Sequence, residues 1–366
     1  MDKVGILTFH AAHNYGSMLQ AYAIKSAIAS LGYDSEIINY RNERQKKLYS
    51  ILSVGIKTQA VRMLHLSKYI RRYKAFEKYL HDYLTSSPEL SSTEAVADYV
   101  KDFKAIVCGS DQIWNETPST YDRDMIYMLP FNFAGKKIAY APSMGSDIDL
   151  GLIKNTLAPY IKDFSAVSAR EAHLSKVLGD CLGGREVPTV LDPTLLVDRK
   201  VWLNQCTDAS EQNYICFYSL LYSDELVKFA MTASQKLGMK VINLSPRAKY
   251  ATISSFEQRY DIGPREFLSY IKNAGLVITN SFHGTVFSIL FRRPLFSLII
   301  DPDKQDFRRQ NLFSITGLPD TYFPVTETSA IEERFSRIKA ADYSSAELNL
   351  NKAKTYSMNF LKEALQ

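Results

Sequence analysis

The stretch VGILTFHAAHNYGSMLQAYAIKSAIASLG, Val4–Gly32, decides the fold. Val4–Phe9 is an apolar run that reads as a buried first strand. A loop at His10–Gly16 follows, then a helical pattern over about Ser17–Leu31. Gly32 suits the left-handed position just past the helix end. Glu36–Asn39 reads as the next strand. Strand, helix and strand in that order predict a parallel βαβ unit.

The alternation continues outward. Ala105–Cys108, Lys137–Tyr140 and Ala166–Ser168 read as further strands, each ending in a polar loop. Residues 58–83 carry a helical pattern, with Val61, Leu64, Tyr69, Phe76 and Tyr79 as apolar positions. Val187–Thr194 reads as a short strand entering an Asp-Pro turn, and the domain crossover falls just after it. The second half repeats the pattern, with strands at Tyr214–Tyr218, Lys240–Leu244, Leu276–Thr279 and Leu295–Ile300. Helices are expected at Asp224–Leu237, stopped by Gly238, at Pro264–Asn273 and at Thr285–Phe291. This predicts an α/β protein of two Rossmann-like domains facing a cleft. The first spans residues 1–195; the second, over 196–345, carries a histidine motif; a helix over 346–366 is expected to pack back on the first. Ligands of such sheets bind beyond the carboxyl ends of the strands, where the polar loops lie.

Composition agrees. A chain of 366 residues exceeds the roughly 250–300 at which one core stops growing. With 46% hydrophobic and 23% charged residues it reads as a folded soluble protein, not a disordered one. The N-terminal run lacks the basic and apolar regions of a signal peptide, and no stretch reaches a membrane-spanning length. Cys108, Cys181, Cys206 and Cys216 show no CxxC spacing, so neither a disulfide framework nor a zinc site is expected, and a reducing cytoplasmic setting fits. Between Arg41 and Lys78, 11 basic and two acidic residues give a net +9. Such a segment suits an anionic neighbour such as phosphate, lipid or nucleic acid; the alternative is a solvated helical face.

The sharpest chemical signal is Asn280-Ser281-Phe282-His283-Gly284, between a buried strand and an apolar helix. Backbone N–H groups at a helix start favour anions, Gly284 would let a ligand approach, and His283 can bind an anion or donate a proton. The alternative is a structural histidine. His10-Ala-Ala-His-Asn-Tyr-Gly16 is a second helix-opening loop, read as substrate-facing or as a plain turn; a metal at His10 and His13 lacks further ligands nearby. Gly109-Ser-Asp-Gln-Ile-Trp-Asn115 can read sugar hydroxyls through Ser110, Asp111, Gln112 and Asn115, with Trp114 stacking on a sugar face; the alternative is a polar turn with a core tryptophan. Arg170 and Arg308 follow strands and can clamp carboxylate or phosphate, whereas Arg309 reads as an isolated surface residue. No GxSxG, Walker, HExxH or kinase pattern occurs.

Taken in order, Gly5–His10, Asn14–Tyr22, Val107–Asn115, Tyr140–Gly145, Ser168–Glu171, Val190–Pro193 and Thr279–Gly284 resemble the polysaccharide pyruvyl transferase family. The resemblance implies a glycosyltransferase-B-type fold and transfer of pyruvate from phosphoenolpyruvate, forming a ketal on a sugar of a surface polysaccharide precursor, with no cofactor or metal. It makes His283 the general acid and places Arg170 and Arg308, with Ser281 and Gly284, on the donor. Asn14, Tyr15, Gly16, Ser110, Asp111, Gln112 and Trp114 fall on the acceptor side. The expected partners are phosphoenolpyruvate and a nucleotide- or polyprenyl-diphosphate-linked sugar, with peripheral contact at the inner membrane face and no nucleic acid. Many members carry arginine where this chain has Ser281, so either another cation, Arg170, Arg308 or Arg292, grips the donor or the donor is a different one. The competing readings are a nucleotide-sugar-dependent glycosyltransferase and a non-catalytic glycan-binding relative.

Overall fold

The computed structural model describes residues 2–49, 65–85, 87–115, 125–145, 150–208, 211–318 and 320–366. It contains two parallel sheets. In the first, β1 (Lys3–Leu7), β2 (Asp34–Ile37), β3 (Ala105–Cys108), β4 (Lys136–Ala139) and β5 (Ala166–Val167) lie in the order β2-β1-β3-β4-β5. In the second, β6 (Ile215–Tyr218), β7 (Val241–Asn243), β8 (Phe256–Gln258), β9 (Leu276–Thr279), β10 (Leu295–Ile299) and β11 (Tyr322–Pro324) lie in the order β11-β10-β9-β6-β7-β8. Counting from β6, that is the Rossmann order 3-2-1-4-5-6 reversed end for end; the first sheet has the flavodoxin-like order. The strand order reverses beside β1 in one sheet and beside β6 in the other.

The sequence missed β8 and β11, which have three residues each. The strand expected at Val187–Thr194 shrinks to a single parallel bridge between Ala169 and Thr189. Pro188 has no N–H to donate, although its carbonyl accepts from Ala169. Two helices start earlier than expected because polar residues cap them. Asn14 accepts from Gly16 and Ser17, starting the Tyr15–Ser30 helix two residues before Ser17. Ser281 accepts from Gly284, starting the Phe282–Leu290 helix three residues before Thr285. Gly32, at φ +89°, takes the left-handed conformation expected of it.

Strand alternation joins the two domains. Val4, Ile6 and Val107 of the first sheet enter the same apolar cluster as Cys216, Ile242 and Val277 of the second. Their neighbours along the strands point the other way: Leu7, Ile106 and Cys108 into one outer cluster, Ile215, Leu276 and Ile278 into another. Both faces of each sheet are therefore covered, which is why these strands read as unbroken apolar runs. Within the shared layer Tyr15 stacks on Phe267, ring centroids 4.4 Å apart and 10° from parallel.

The described part of the 58–83 pattern is the helix Leu66–Tyr79; residues 58–64 of that reading, Val61 and Leu64 among them, lie outside the described residues. This helix carries basic residues across to the second domain. Lys68 donates to the Gln258 carbonyl at 2.7 Å and Arg71 pairs with Asp261 at 2.7 Å. Arg72 is buried, donating to the Tyr15 hydroxyl and, at 2.9 Å, to the His13 carbonyl. Arg41 binds Glu77, Lys46 binds Glu43 and Glu89, and Lys78 binds Asp82. Much of the described positive charge of this segment is thus engaged within the protein, which departs from the reading of a surface offered to an anionic neighbour. Among the described residues no helix is long and apolar enough to cross a membrane.

The last helix, Ser344–Leu365, straddles both domains. Near its start Glu347 pairs with Arg292, and Tyr343 donates to the Arg293 carbonyl at 3.1 Å. Further along, Ser357 accepts from the Leu191 N–H at 2.9 Å, and the Ala364 carbonyl accepts from Lys136 at 3.4 Å.

Glu77 gives this architecture an acid sensitivity. Burial alone would raise its carboxyl, but hydrogen bonds from His13 and Arg41 bring it from 4.5 down to about 2. A depressed carboxyl contributes stability that is present above its unfolded value and lost as pH falls through the folded one. Denaturant unfolding at stepped pH is therefore expected to show wild type losing more stability than Glu77→Gln as pH falls from 4.5 towards 2. Parallel curves would contradict it.

Candidate functional site

The strand ends bring together residues distant in sequence. Beyond β5 comes Arg170, beyond the Ala169–Thr189 bridge comes Asp192, and beyond β9 comes His283. Asp192 is fully buried and lies between the other two. Its Oδ2 accepts from Arg170 Nη1 at 2.7 Å and faces His283 Nε2 at 3.5 Å. Its Oδ1 accepts from the Thr194 N–H at 3.0 Å and the Thr194 hydroxyl at 2.6 Å. Burial alone would raise the Asp192 carboxyl, but His283, Arg170 and Thr194 hold it well below the usual carboxylate range.

Arg170 is also buried. Its Nε approaches Glu171 at 3.3 Å, and its guanidinium lies 4.8 Å from the centroid of the Phe282 ring of the second domain. Burial works against its charge, while Glu171, Asp192 and Asp111 keep it protonated. Burial pushes the Glu171 carboxyl up, against the pull of Arg170 and Arg308. Nε2 of His283, Nη2 of Arg170, Oε2 of Glu171, Nε of Arg308 and Oδ1 of Asn280 are buried with no hydrogen-bond partner. Orphaned polar atoms are rare in folded proteins, and five gathered around one cleft are suited to a polar ligand.

Helix starts complete the setting. The helices Tyr15–Ser30, Ala172–Cys181, Phe282–Leu290 and Phe307–Thr316 all begin here. The His173 and Phe307 rings stack across the cleft at 4.7 Å, and Asn311 donates to the Arg170 carbonyl at 3.3 Å. N-terminal N–H groups and two arginines make the place receptive to anions despite its carboxylates.

Several expected residues are placed differently. Gly284 does not open space for a ligand: a Cβ there would meet Thr279 Oγ1 at 2.7 Å, so the glycine lets the helix approach β9. Gly16 is likewise a packing contact: a Cβ there would meet His283 Nδ1 at 2.1 Å. Ser281 is the helix cap. Tyr15 is buried between the domains, its hydroxyl donating to the Ile262 carbonyl at 3.3 Å. Trp114 is a core tryptophan, 3% exposed, with its indole N–H on the Tyr127 carbonyl, and offers no face to a sugar. Asn14 caps the first helix, and Gln112 accepts from Asn115 at 2.5 Å. Asp111 accepts from Ser17 at 2.6 Å, and Ser110 donates to the Ala141 carbonyl at 3.0 Å while lying 3.4 Å from Asp192. Those two remain beside the cleft. Arg308 faces Asp306 at 3.4 Å. Arg309 is no surface residue: it is buried, bound to Asp306, Ser297 and the Leu298 carbonyl. Arg292 follows the far end of the histidine helix, paired with Glu347, and cannot replace a cation at Ser281.

Sequence reasoning did not assign Asp192 or Glu171 to the site. The available signal was a carboxylate at the end of a strand-like run, directly after Val190-Leu191 for Asp192 and one residue beyond Arg170 for Glu171. His10 and His13 hold structural partners, Asn39 at 3.0 Å and Glu77 at 2.8 Å, and among the described residues no group of three or more His, Cys, Asp or Glu is arranged to hold a metal ion.

Comparison with known proteins follows this geometry. The family model for polysaccharide pyruvyl transferase matches residues 14–302. No curated protein matches the chain. Among solved structures, UDP-GlcNAc 2-epimerase from Neisseria meningitidis bound to UDP-GlcNAc superposes with a TM-score of 0.56 at 8% identity, over 99% of this chain and 100% of that one. The S. aureus MnaA–UDP structure gives 0.54 at 11% identity, over 97% of each chain. The Methanocaldococcus jannaschii UDP-GlcNAc 2-epimerase with UDP-GlcNAc and UDP gives 0.50 at 12%, over 97% and 100%. These likenesses establish the glycosyltransferase-B-type fold.

Two substitutions probe the site as built. Asp192→Asn leaves Arg170 buried without its closest counter-charge and is expected to cost about 3–5 kcal/mol in chemical denaturation. Gly16→Ala drives a methyl into His283 and is expected to cost about 1–3 kcal/mol in the same measurement. Wild-type stability in either would contradict the geometry.

Proposed function

The chain belongs to the polysaccharide pyruvyl transferase family, and on that premise we propose that it moves pyruvate from phosphoenolpyruvate onto a sugar of a surface polysaccharide precursor. The sugar is carried on a nucleotide or a polyprenyl diphosphate. The observation that carries the reading is His283, set against the Asp192–Arg170 pair at the cleft where four helices begin.

The chemistry asks for a proton donor, cations for a carboxylate and a phosphate, and a place for two hydroxyls. His283 donates a proton to the methylene carbon of phosphoenolpyruvate, leaving an oxocarbenium-like carbon that still bears the phosphate ester. One sugar hydroxyl attacks that carbon and its proton returns to the deprotonated His283. A second hydroxyl then attacks, the carbon–oxygen bond to phosphate breaks, and the second hydroxyl proton leaves with inorganic phosphate as the cyclic ketal closes. Asp192 places a carboxylate beside the imidazole, its Oδ2 3.5 Å from Nε2. The free Nη2 of Arg170, Arg308 and the helix N-termini face the donor's negative groups. This takes over the role of the arginine that Ser281 replaces, because Arg170 keeps one unpaired nitrogen. Ser110, 3.4 Å from Asp192, and Asp111 are the polar side chains of the neighbouring loop suited to sugar hydroxyls.

Phosphate release from phosphoenolpyruvate with lipid-linked and nucleotide-linked sugars tests the reading. His283→Ala is expected to lower the rate by about 100-fold or more. No release by wild type with any acceptor, together with stabilisation by UDP, would favour a nucleotide-sugar glycosyltransferase instead.

A further inference from the structure

Glu171 is a buried acid that the chemistry above leaves without a task. It follows Arg170 directly, precedes the helix Ala172–Cys181 and is 1% exposed. Its side chain does not cap that helix. Oε1 approaches Arg170 Nε at 3.3 Å, and Oε2 has no hydrogen-bond partner. A buried ionised carboxylate fills its lone pairs with donors. Asp192 does so, with Thr194 on one oxygen and Arg170 on the other. Glu171 leaves one oxygen bare.

The groups facing Glu171 come from several elements. Arg170 lies on its own loop. Arg308 acts on it from the helix Phe307–Thr316 of the second domain, where Asp306 stands 3.4 Å from Arg308 Nε. Ser143, after β4, is within its reach. The segment Ile153–Leu157 packs on the same helix, but its Lys154 is exposed. Burial outweighs both arginines and pushes the Glu171 carboxyl up. Arg170 Nη2 and Arg308 Nε, like Oε2, are buried without a hydrogen-bond partner. An ionised Glu171 would oppose an anion held by these arginines. A protonated Glu171 adds a donor to theirs.

We propose that Glu171 is the acid of phosphate departure: it holds a proton at Oε2 against the phosphate gripped by Arg170 and Arg308, and gives it up as the carbon–oxygen bond breaks. This rests on the pyruvyl transfer reading and assigns a group to its last step. As the second sugar hydroxyl bonds to the carbon, the electron pair of the breaking bond stays on the phosphate oxygen, which takes the Glu171 proton. The hydroxyl proton passes to the Glu171 carboxylate and restores the acid. One hydroxyl proton has then left with phosphate, and nothing is oxidised or reduced. His283 serves the methylene carbon and Glu171 the leaving oxygen.

Calorimetric binding of inorganic phosphate to the full chain, from about pH 7 to about pH 9.5, tests the proposal. A ligand that needs a protonated group loses up to about tenfold in affinity per pH unit above that group's pKa. Glu171→Gln cannot ionise, and its amide keeps a donor. The two affinities are expected to be similar at the lower end and to part by about tenfold or more at the upper end, with the variant binding more tightly. No binding by wild type, or parallel curves, overturns the proposal. So does a variant about tenfold weaker at pH 7, because Glu171 then serves as the counter-charge that holds Arg170. If Glu171→Gln does not fold, Glu171→Asp carries the test: its lower ordinary pKa is expected to start the fall at lower pH, and an unshifted curve overturns the proposal. Glu171→Gln is also expected to slow phosphate release from phosphoenolpyruvate by about 100-fold or more, and a wild-type rate overturns the role. Inorganic phosphate carries no pyruvate, so these curves judge Glu171 separately from the donor, which phosphate release by wild type decides.

Discussion

The Asp192 carboxylate, shared between Arg170 and His283, is the contact on which the cleft depends. It joins the loop after β5, the turn that closes the first domain and the histidine helix of the second. A carboxylate this deeply buried is costly unless its lone pairs are filled, and here Thr194 fills one oxygen while Arg170 takes the other. Buried ion pairs contribute little net stability compared with apolar packing. What this one supplies is position: it sets a carboxylate beside His283 and leaves a single Arg170 nitrogen unpaired.

That arrangement requires the domains to sit close, and two features allow it. Alternating strand residues from both sheets fill one shared apolar layer, with Tyr15 stacked on Phe267 inside it. Gly16, lacking a side chain, lets the first helix press against the imidazole. The cations of Leu66–Tyr79 and the straddling terminal helix hold the closed geometry from two sides. Positive charge that looked available to an outside anion is instead largely engaged within the protein, with Lys68, Arg71 and Arg72 reaching the second domain.

The parallel α/β architecture was legible because burial on both faces forces apolar runs, and polar loops must follow where those runs leave the sheet. Helix starts were misplaced by two and three residues because periodicity shows which face is apolar, while Asn14 and Ser281 set the start through a side-chain hydrogen bond. β8 and β11 escaped notice: polar Glu257 and Gln258 follow Phe256 in one, and Pro324 falls inside the other. His283 was legible as a polar residue at a strand-to-helix turn, and Arg170 as one directly after a strand. Trp114 and Tyr15 were misread: composition shows that an aromatic can stack, not whether its face meets solvent or core.

The sequence alone therefore determined the two sheets, the end of each at which chemistry gathers, and the family. These depend on local periodicity and on ordered motifs, which are properties of neighbours along the chain. Tertiary structure decided which polar groups meet. Asp192, Arg170 and His283 come from separate segments, and only the closing of one domain on the other sets their distances. It also separated Gly16 from Gly284. Both stand near a helix start in a polar loop, yet one makes room for β9 and the other for the imidazole, because the space a missing side chain leaves is defined by whatever packs against it.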